Sequence, residues 1–349
     1  MESLHLILKP LEDVNNRSDH HDKFLMFEYL VTKHNFEYIT INEVKKNRGN
    51  LRDFFIEKYK KLPTFILGFQ SVGSFIYTYK ELREFCNLAF IICDVHHAYS
   101  VRKTKEDVVE SSTYLFNNYG YMFNMYYNHH LGNIYFPHGA AYTDIIFNCN
   151  PIPKIIITGH LNKNVYPNRM FVHDLAKKDK RIQYIKPDYG GYIIRECDRD
   201  KTYGKKYYQK LNKYLCCVVD DACEKRPYIV AKFFEILASG SLLLAFNEKT
   251  KNHFIELGFE DNVHYLSTTK DNFLEKIKYI LDPKNKNIID KIRMNGYDLV
   301  LEKHTYINRG DFIESIFNNK KYPITKICNT TKTKYSLGVK ETEDLIEFT

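Results

Sequence analysis

Tryptophan is absent from this chain of 349 residues, and its eight cysteines form no Cys-x-x-Cys pair. They are scattered at positions 86, 93, 149, 197, 216, 217, 223 and 328. That excludes a zinc-ribbon framework and a small disulfide-stapled scaffold, and reads as reduced core thiols. No apolar run approaches the roughly 18 residues that a membrane-spanning helix needs. The N-terminal MESLHLILKPLEDVNN is too short in its apolar part, and too acidic after it, for a secretory signal. With only 15 glycines and 10 prolines, and no internal repeat, the chain is neither fibrous nor low-complexity. These absences leave a globular, cytoplasmic protein. Its Lys, Asn, Ile, Tyr and Phe richness without Trp fits an AT-rich genome, that of a microbe or of a virus in its host's cytoplasm.

What is present is an apolar fraction of 44%, enough for sizeable cores, and a net charge of +8 that suits an anionic ligand. The cations are spread over many segments rather than packed into one stripe, which argues against a dedicated nucleic-acid surface. Short apolar runs alternate with helical patterns, the signature of parallel sheets covered on both faces. In the first part, strands are expected at Leu4–Leu8, Phe36–Ile41, Thr64–Gly68, Leu88–Cys93 and Ile134–Phe136, and Tyr114–Tyr127 has no clear period. In the second part they are expected at Lys154–Thr158, Arg181–Ile185, Tyr214–Val218, Leu242–Phe246 and Val263–Leu266. Pro137, Gly139, Pro151 and Pro153 punctuate the join between them. The expected division is a first α/β domain over 1–150, a second over 151–321, and a tail, 322–349, packed on the first domain or partly loose.

The most informative stretch is RPYIVAKFFEILASGSLLLAF, Arg226–Phe246. Pro227 suits a first helical turn. Ile229, Phe233, Ile236 and Leu237 recur at helical spacing, Gly240 ends the helix, and Leu242–Phe246 reads as a buried strand. Lys232, Glu235, Ala238 and Ser239 fall on the other side. A carboxylate at Glu235 flanked by small residues can accept both hydroxyls of a ribose. The competing reading is a Lys232–Glu235 surface ion pair at i,i+3.

Four further constellations carry chemistry. In Ile157–Arg169, ITGHLNKNVYPNR, a strand ends at Gly159 and a polar loop follows, offering backbone N–H groups, Lys163 and Arg169 to a diphosphate. An ordinary βα loop would have the same spacing. In Asp94–Tyr99, DVHHAY, an acid and two imidazoles at a strand's end suit general-base work, with Asp94 and His97 as catalytic candidates and His96 as an acceptor contact. His138, at the join, is a second acceptor-side candidate or a structural group. Asp198-Arg-Asp200 reads as a solvated turn rather than a metal-binding triplet, and Asp220–Asp221 as loop caps. Tyr121, Phe123, Tyr126 and Tyr127 suit stacking on a sugar or core packing equally.

The segment KFFEILASGSLLL resembles the Glu-Ala-Met-Ala-x-Gly-x-Pro-Val stretch of GT-B glycosyltransferases, in the form found in CgeB-like, spore maturation type enzymes. YFPHGA (Tyr135–Ala140), the Gly-x-Tyr-Pro-x-Arg layout and His304-Thr-Tyr-Ile-Asn-Arg309 are similar to other parts of that group. Relatives carry a second glutamate eight positions before the first; here Pro227 stands there. The resemblance spans roughly Ile134–Phe312. It implies an α/β GT-B fold of two Rossmann-like domains facing across a cleft, and a sugar transferred from a UDP-, GDP- or dTDP-linked donor to a glycan, glycoprotein or other hydroxyl acceptor. It places Gly159, Lys163, Arg169, Lys232, Glu235 and Ser239 on the donor, with no metal and no cofactor. Two other readings stay open: a basic, aromatic-rich single-stranded nucleic-acid binder, and a sugar-nucleotide epimerase on the same fold.

Overall fold

The computed structural model describes residues 3–9, 20–69, 76–93, 108–109, 111–120, 123, 132–187, 202–221, 228–318, 324–329 and 332–337. Among them, no helix is long and apolar enough to cross a membrane. The chain divides into two α/β units. Unit 1 comprises Met1–Asp13, Met26–Pro137 and Arg309–Thr349; unit 2 comprises Val14–Leu25 and His138–Asn308.

Unit 1 is built on one sheet. Its strands in chain order are β1 (His5–Lys9), β2 (Glu37–Thr40), β3 (Phe65–Phe69), β4 (Asn87–Ile92), β5 (Tyr114–Asn117), β6 (Asn133–Tyr135), β12 (Ile324–Asn329) and β13 (Lys332–Leu337). They lie in the order β12-β13-β6-β5-β4-β3-β1-β2. All pairs are parallel except the β12–β13 hairpin, and β13 joins the edge beside β6. The tail thus extends the first unit's sheet. Helices α1 (His21–His34), α2 (Ile41–Lys46), α3 (Leu51–Tyr59) and α4 (Ile76–Arg83) fill the connections.

Unit 2 carries a five-stranded parallel sheet ordered β11-β10-β9-β7-β8, from β7 (Ile152–Thr158), β8 (Ile182–Ile185), β9 (Tyr214–Asp220), β10 (Leu242–Phe246) and β11 (Leu266–Ser267). Between them run α5 (Pro167–Ala176), α6 (Gly204–Asn212), α7 (Ala231–Ala238) and α8 (Lys251–Glu256). After β11 come α9 (Phe273–Leu281), α10 (Lys286–Lys303) and α11 (Tyr306–Phe317). Every residue of β10 is buried, as expected of a strand with helices on both faces. Ile155, Ile157, Cys216, Val218, Leu242, Leu244 and Leu266 form one face of its core with Phe273, Ile277 and Ile289.

Two boundaries differ from the sequence expectation. Unit 2 ends at Asn308 rather than 321. The cause is the aromatic face of α11: Phe317 stacks on Phe65 with ring centroids 4.1 Å apart, and Phe312 stacks on Phe136 at 6.3 Å. The first boundary falls at Pro137 rather than 150, because His138–Ala141 is already tied into unit 2. Ala140 N donates to His304 O (2.7 Å), and Ala141 N donates to Tyr208 Oη (3.1 Å). His304 itself is buried and bonds Leu257 O at 2.8 Å, so the His-Thr-Tyr-Ile-Asn-Arg segment has a structural role.

Candidate functional site

The topology of unit 2 points to one place. The chain leaves β7 toward β8 on one side, then returns to β9 on the other. Connections that leave two neighbouring strands in opposite directions open a crevice at their carboxyl ends, where ligands of such sheets bind. Here that place lies between Gly159, just past β7, and Asp220, the last residue of β9.

Gly159 has φ +105°, a conformation that side-chain-bearing residues rarely adopt. A Cβ there would lie 3.0 Å from Arg169 Nη1 and 3.0 Å from Lys232 Cε. Two cationic side chains, 63 positions apart in sequence, therefore converge over a single backbone position. The Gly159 carbonyl is fixed from the other side by the Tyr184 hydroxyl, which donates to it at 3.0 Å.

Each cation is held by an aromatic ring. The Arg169 guanidinium lies 3.6 Å from the centroid of Tyr166 and donates to His160 O at 2.8 Å. Lys232 Nζ lies 4.7 Å from the centroid of Tyr207 and donates to its hydroxyl at 2.9 Å. Cation–π contacts of this kind are worth about 0.5–2 kcal/mol each and restrict long side chains that would otherwise be mobile. The Lys232 ammonium is thus engaged by Tyr207 rather than by the i,i+3 surface pair. Burial lowers its affinity for a proton, partly offset by the charge of Glu235, and Arg169 lowers it further.

Glu235 stands one helical turn after Lys232 on α7 and is partly exposed. Burial raises its carboxyl above the ordinary range; the charges of Lys232 and then His138 pull it back, and Asp22 pushes it up again. Lys232 and the Glu235 carboxyl lie on successive turns of α7, and Arg169 reaches Gly159 from α5.

The backbone N–H groups at the start of α5 are not available to an anion. Asp220 Oδ2 accepts from Asn168 N (2.8 Å) and Arg169 N (3.0 Å), and Oδ1 accepts from Asn168 Nδ2 (2.9 Å). Asp220 thus caps a helix from another strand, and its buried carboxyl rises despite these donors. Asp221, beside it, accepts from the Thr250 hydroxyl at 3.3 Å; burial, and then Asp220's charge, push its carboxyl up to about 7. The expectation that this loop offers its N–H groups to phosphate is corrected for Asn168 and Arg169. The expectation of caps at Asp220–Asp221 holds, although the helix capped by Asp220 is remote in sequence.

The structure therefore brings Gly159, Arg169, Lys232 and Glu235 together. Lys163 is exposed in the loop between β7 and α5. Ser239 is corrected. It is fully buried at the C-terminal end of α7, where its hydroxyl donates to Ile236 O at 2.7 Å. Its neighbour Ser241 donates to Tyr214 O, at the start of β9, so this end of α7 lies at the opposite edge of the sheet. Seven residues of helix separate it from Lys232, about 10 Å. His138 is buried in unit 2, with Nδ1 3.4 Å from Asp22 Oδ2. Phe123 is fully buried and belongs to the core. Asp94, His96, His97, Tyr121, Tyr126, Tyr127, Asp198, Asp200 and Pro227 lie outside the described residues. Sequence reasoning missed Tyr184, Tyr207 and Asp22. Tyr207 lies on α6 with no local motif, and Asp22 is 116 positions from His138; only the fold brings them in.

Residues 169–315 match the profile of a family described as Glycosyl transferase-like. No curated protein matches the chain by sequence. Among solved structures, the chain is similar to Anabaena HepE, solved in complex with UDP and glucose. The TM-score is 0.58 at 10% identity, covering 91% of this chain and 100% of that one. It is also similar to sucrose-phosphate synthase from Thermosynechococcus elongatus, with TM-score 0.54 at 10% identity, covering 91% and 99% of the two chains. Against TarM the TM-score is 0.49 at 15% identity; the match covers 77% of this chain and 58% of TarM's length. The chain has the GT-B fold, and residues 169–315 of it are similar to the glycosyl transferase-like family.

Proposed function

We propose that this protein transfers a sugar from a nucleoside-diphosphate donor to a hydroxyl acceptor without a metal ion. The family and fold support glycosyl transfer in general. The observation that carries the donor reading is the convergence of Arg169 and Lys232 over Gly159, with Glu235 one turn further along α7. A diphosphate at that point meets two positive side chains where a Cβ would otherwise stand. Its charge grows as the bond to the sugar breaks, so preorganised cations favour the transition state more than the bound donor. They supply the positive charge that a divalent ion provides elsewhere. Glu235 accepts the two ribose hydroxyls and so sets the donor's register. Asp94 or His97 is assigned to the acceptor hydroxyl or the sugar, as base or contact. In HepE the bound nucleotide is UDP, which makes UDP the first donor nucleotide to test.

The test is a thermal-shift and calorimetric screen with UDP-, GDP- and dTDP-sugars, followed by transfer assays in EDTA. Binding of one nucleotide class, weakened about tenfold or more in Glu235→Ala and in Arg169→Ala, is expected. A Glu235→Ala protein with wild-type donor affinity and full transfer would remove the central assignment. Activity abolished by EDTA and restored by a divalent ion would remove the metal independence.

A further inference from the structure

The first turn of α5 is capped in an unusual way. Tyr166 occupies its N-cap, a position that Ser, Thr, Asp or Asn ordinarily fills, because a side-chain oxygen there accepts from an N–H group of the first turn. The Tyr166 side chain makes no such bond. Asp220 supplies it from another element: its Oδ2 accepts from Asn168 N at 2.8 Å and from Arg169 N at 3.0 Å, the second and third residues of the helix. The register that sets Ile157 of β7 beside Val218 of β9 brings Asp220, two residues on, level with Gly159. The loop that leads into the helix is tied down as well. Asn162 O accepts from Val165 N at 3.2 Å and from Tyr166 N at 2.7 Å, and Asn162 Oδ1 accepts from Asn164 N at 3.0 Å.

Relieved of capping, the Tyr166 ring lies with its centroid 3.6 Å from the Arg169 guanidinium carbon, three residues further along the chain. His160 O accepts from Arg169 Nη1 at 2.8 Å. Arg169 is 3% exposed, yet among the described residues no carboxylate pairs with its guanidinium; Asp220 bonds its backbone instead. A buried positive charge without a partner anion is costly, and a bound anion removes that cost. The ring, the carbonyl and the fixed helix start together hold the guanidinium over Gly159, where a Cβ would lie 3.0 Å from Nη1 and 3.3 Å from Cζ.

We propose that Asp220 and Tyr166 are positioning residues for the Arg169 guanidinium: Asp220 caps α5 from β9, and Tyr166, spared that task, holds the guanidinium over Gly159 for the diphosphate. This rests on the donor reading above and narrows it to recognition of the phosphates. Charge and position predict opposite signs for Asp220. Removing its carboxylate takes away a negative charge and bares the N–H groups of Asn168 and Arg169, and both changes favour an anion. If Asp220 acts by position, its loss weakens the anion instead.

Calorimetric Kd values are measured for UDP and GDP, with circular-dichroism melts of the same proteins. The proteins are the wild type, Arg169→Ala, Asp220→Ala, Asp220→Asn, Tyr166→Ser, Tyr166→Ser/Asp220→Ala and Arg169→Ala/Asp220→Ala. Arg169→Ala is expected to weaken the diphosphate about tenfold. Asp220→Ala and Tyr166→Ser are each expected to weaken it about fivefold. Asp220→Ala is expected to add nothing in the Arg169→Ala background. Asp220→Asn keeps an oxygen for both N–H groups and is expected to recover most of the affinity that Asp220→Ala loses. In Tyr166→Ser/Asp220→Ala the serine caps the helix locally, so part of the lost melting temperature returns while the affinity does not. Return of both would show that Asp220 acts through stability alone and would overturn the proposal. Tighter diphosphate binding in Asp220→Ala would overturn it by sign. Tyr166→Ser leaves the Asp220 cap in place and so serves if Asp220→Ala fails to fold; wild-type affinity in Tyr166→Ser would remove the tyrosine's role. If Arg169→Ala weakens the diphosphate and neither Asp220→Ala nor Tyr166→Ser does, the positioning proposal falls while the donor reading stands. If Arg169→Ala leaves the affinity unchanged, or if neither nucleotide binds, the donor reading falls and takes the proposal with it.

Discussion

Replacing Gly159 by alanine tests the donor site, because strain and site effects can be separated. Gly159 has φ +105° and Gly258 has φ +82°. Alanine at either position costs about 1–3 kcal/mol in backbone strain. Around Gly258 a Cβ meets nothing within 4 Å; at Gly159 it meets Arg169 Nη1 and Lys232 Cε at 3.0 Å. Both atoms sit toward the ends of flexible side chains, so they shift by a few tenths of an ångström rather than blocking the fold. The two variants should therefore lose similar stability. For a domain of this size each kcal/mol is about 2–4 °C, so both thermal midpoints should fall by about 2–12 °C. Only Gly159→Ala should weaken the nucleotide. Displacing two charge-assisted partners by that distance forfeits about 1 kcal/mol, a roughly fivefold rise in Kd. The assay pairs circular-dichroism melts with calorimetric titration of UDP. Equal UDP affinity in Gly159→Ala, Gly258→Ala and the wild type would show that no ligand group sits over Gly159.

Asp220→Ala should lower the urea midpoint by the equivalent of about 1–3 kcal/mol, since it orphans two N–H groups of α5 and the Asn168 amide. Glu256 is buried and pushed up to about 7 by burial, against about 4.5 when exposed. The folded state thus holds a proton that the unfolded state releases, and its contribution to stability is lost as pH rises from about 4.5 through 7. Glu256→Gln should leave the melting temperature unchanged at pH 4.5 and raise it at pH 8; an equal shift at both would refute the titration.

The parts of the fold legible in the sequence are those with strong short-range signals. Leu242–Phe246 is an uninterrupted apolar run ended on both sides by polar residues, and β10 occupies those five positions. Gly240, with φ +75°, closes α7 as its position suggests. The failures have local causes too. Phe36–Ile41 alternates like a strand, but β2 stops at Thr40. There the Thr40 side chain accepts from Glu43 N, and Glu43 reaches back to Thr40 N in a capping box that starts α2. The aromatic run that hid β5 has no period because its residues are buried on both faces: Leu115, Phe116 and Asn117 are all buried.

The site shows a different limit. A strand-end glycine, an arginine ten residues after it in a loop-helix pattern, or a glutamate on a helix is each legible as a candidate; whether they meet is set by strand order, which no local pattern encodes. Asp220 makes the point physically. A βα loop ending at a helix start is ordinarily an anion site because its first N–H groups are unpaired. Here β9, seated beside β7, delivers a carboxylate to Asn168 N and Arg169 N and fills that site from within. The protein has neutralised the helix end with its own anion, so under the proposed function attraction for a diphosphate has to come from side chains. The Arg169 guanidinium and the Lys232 ammonium, each braced by a tyrosine, are the cations that unit 2 places over Gly159.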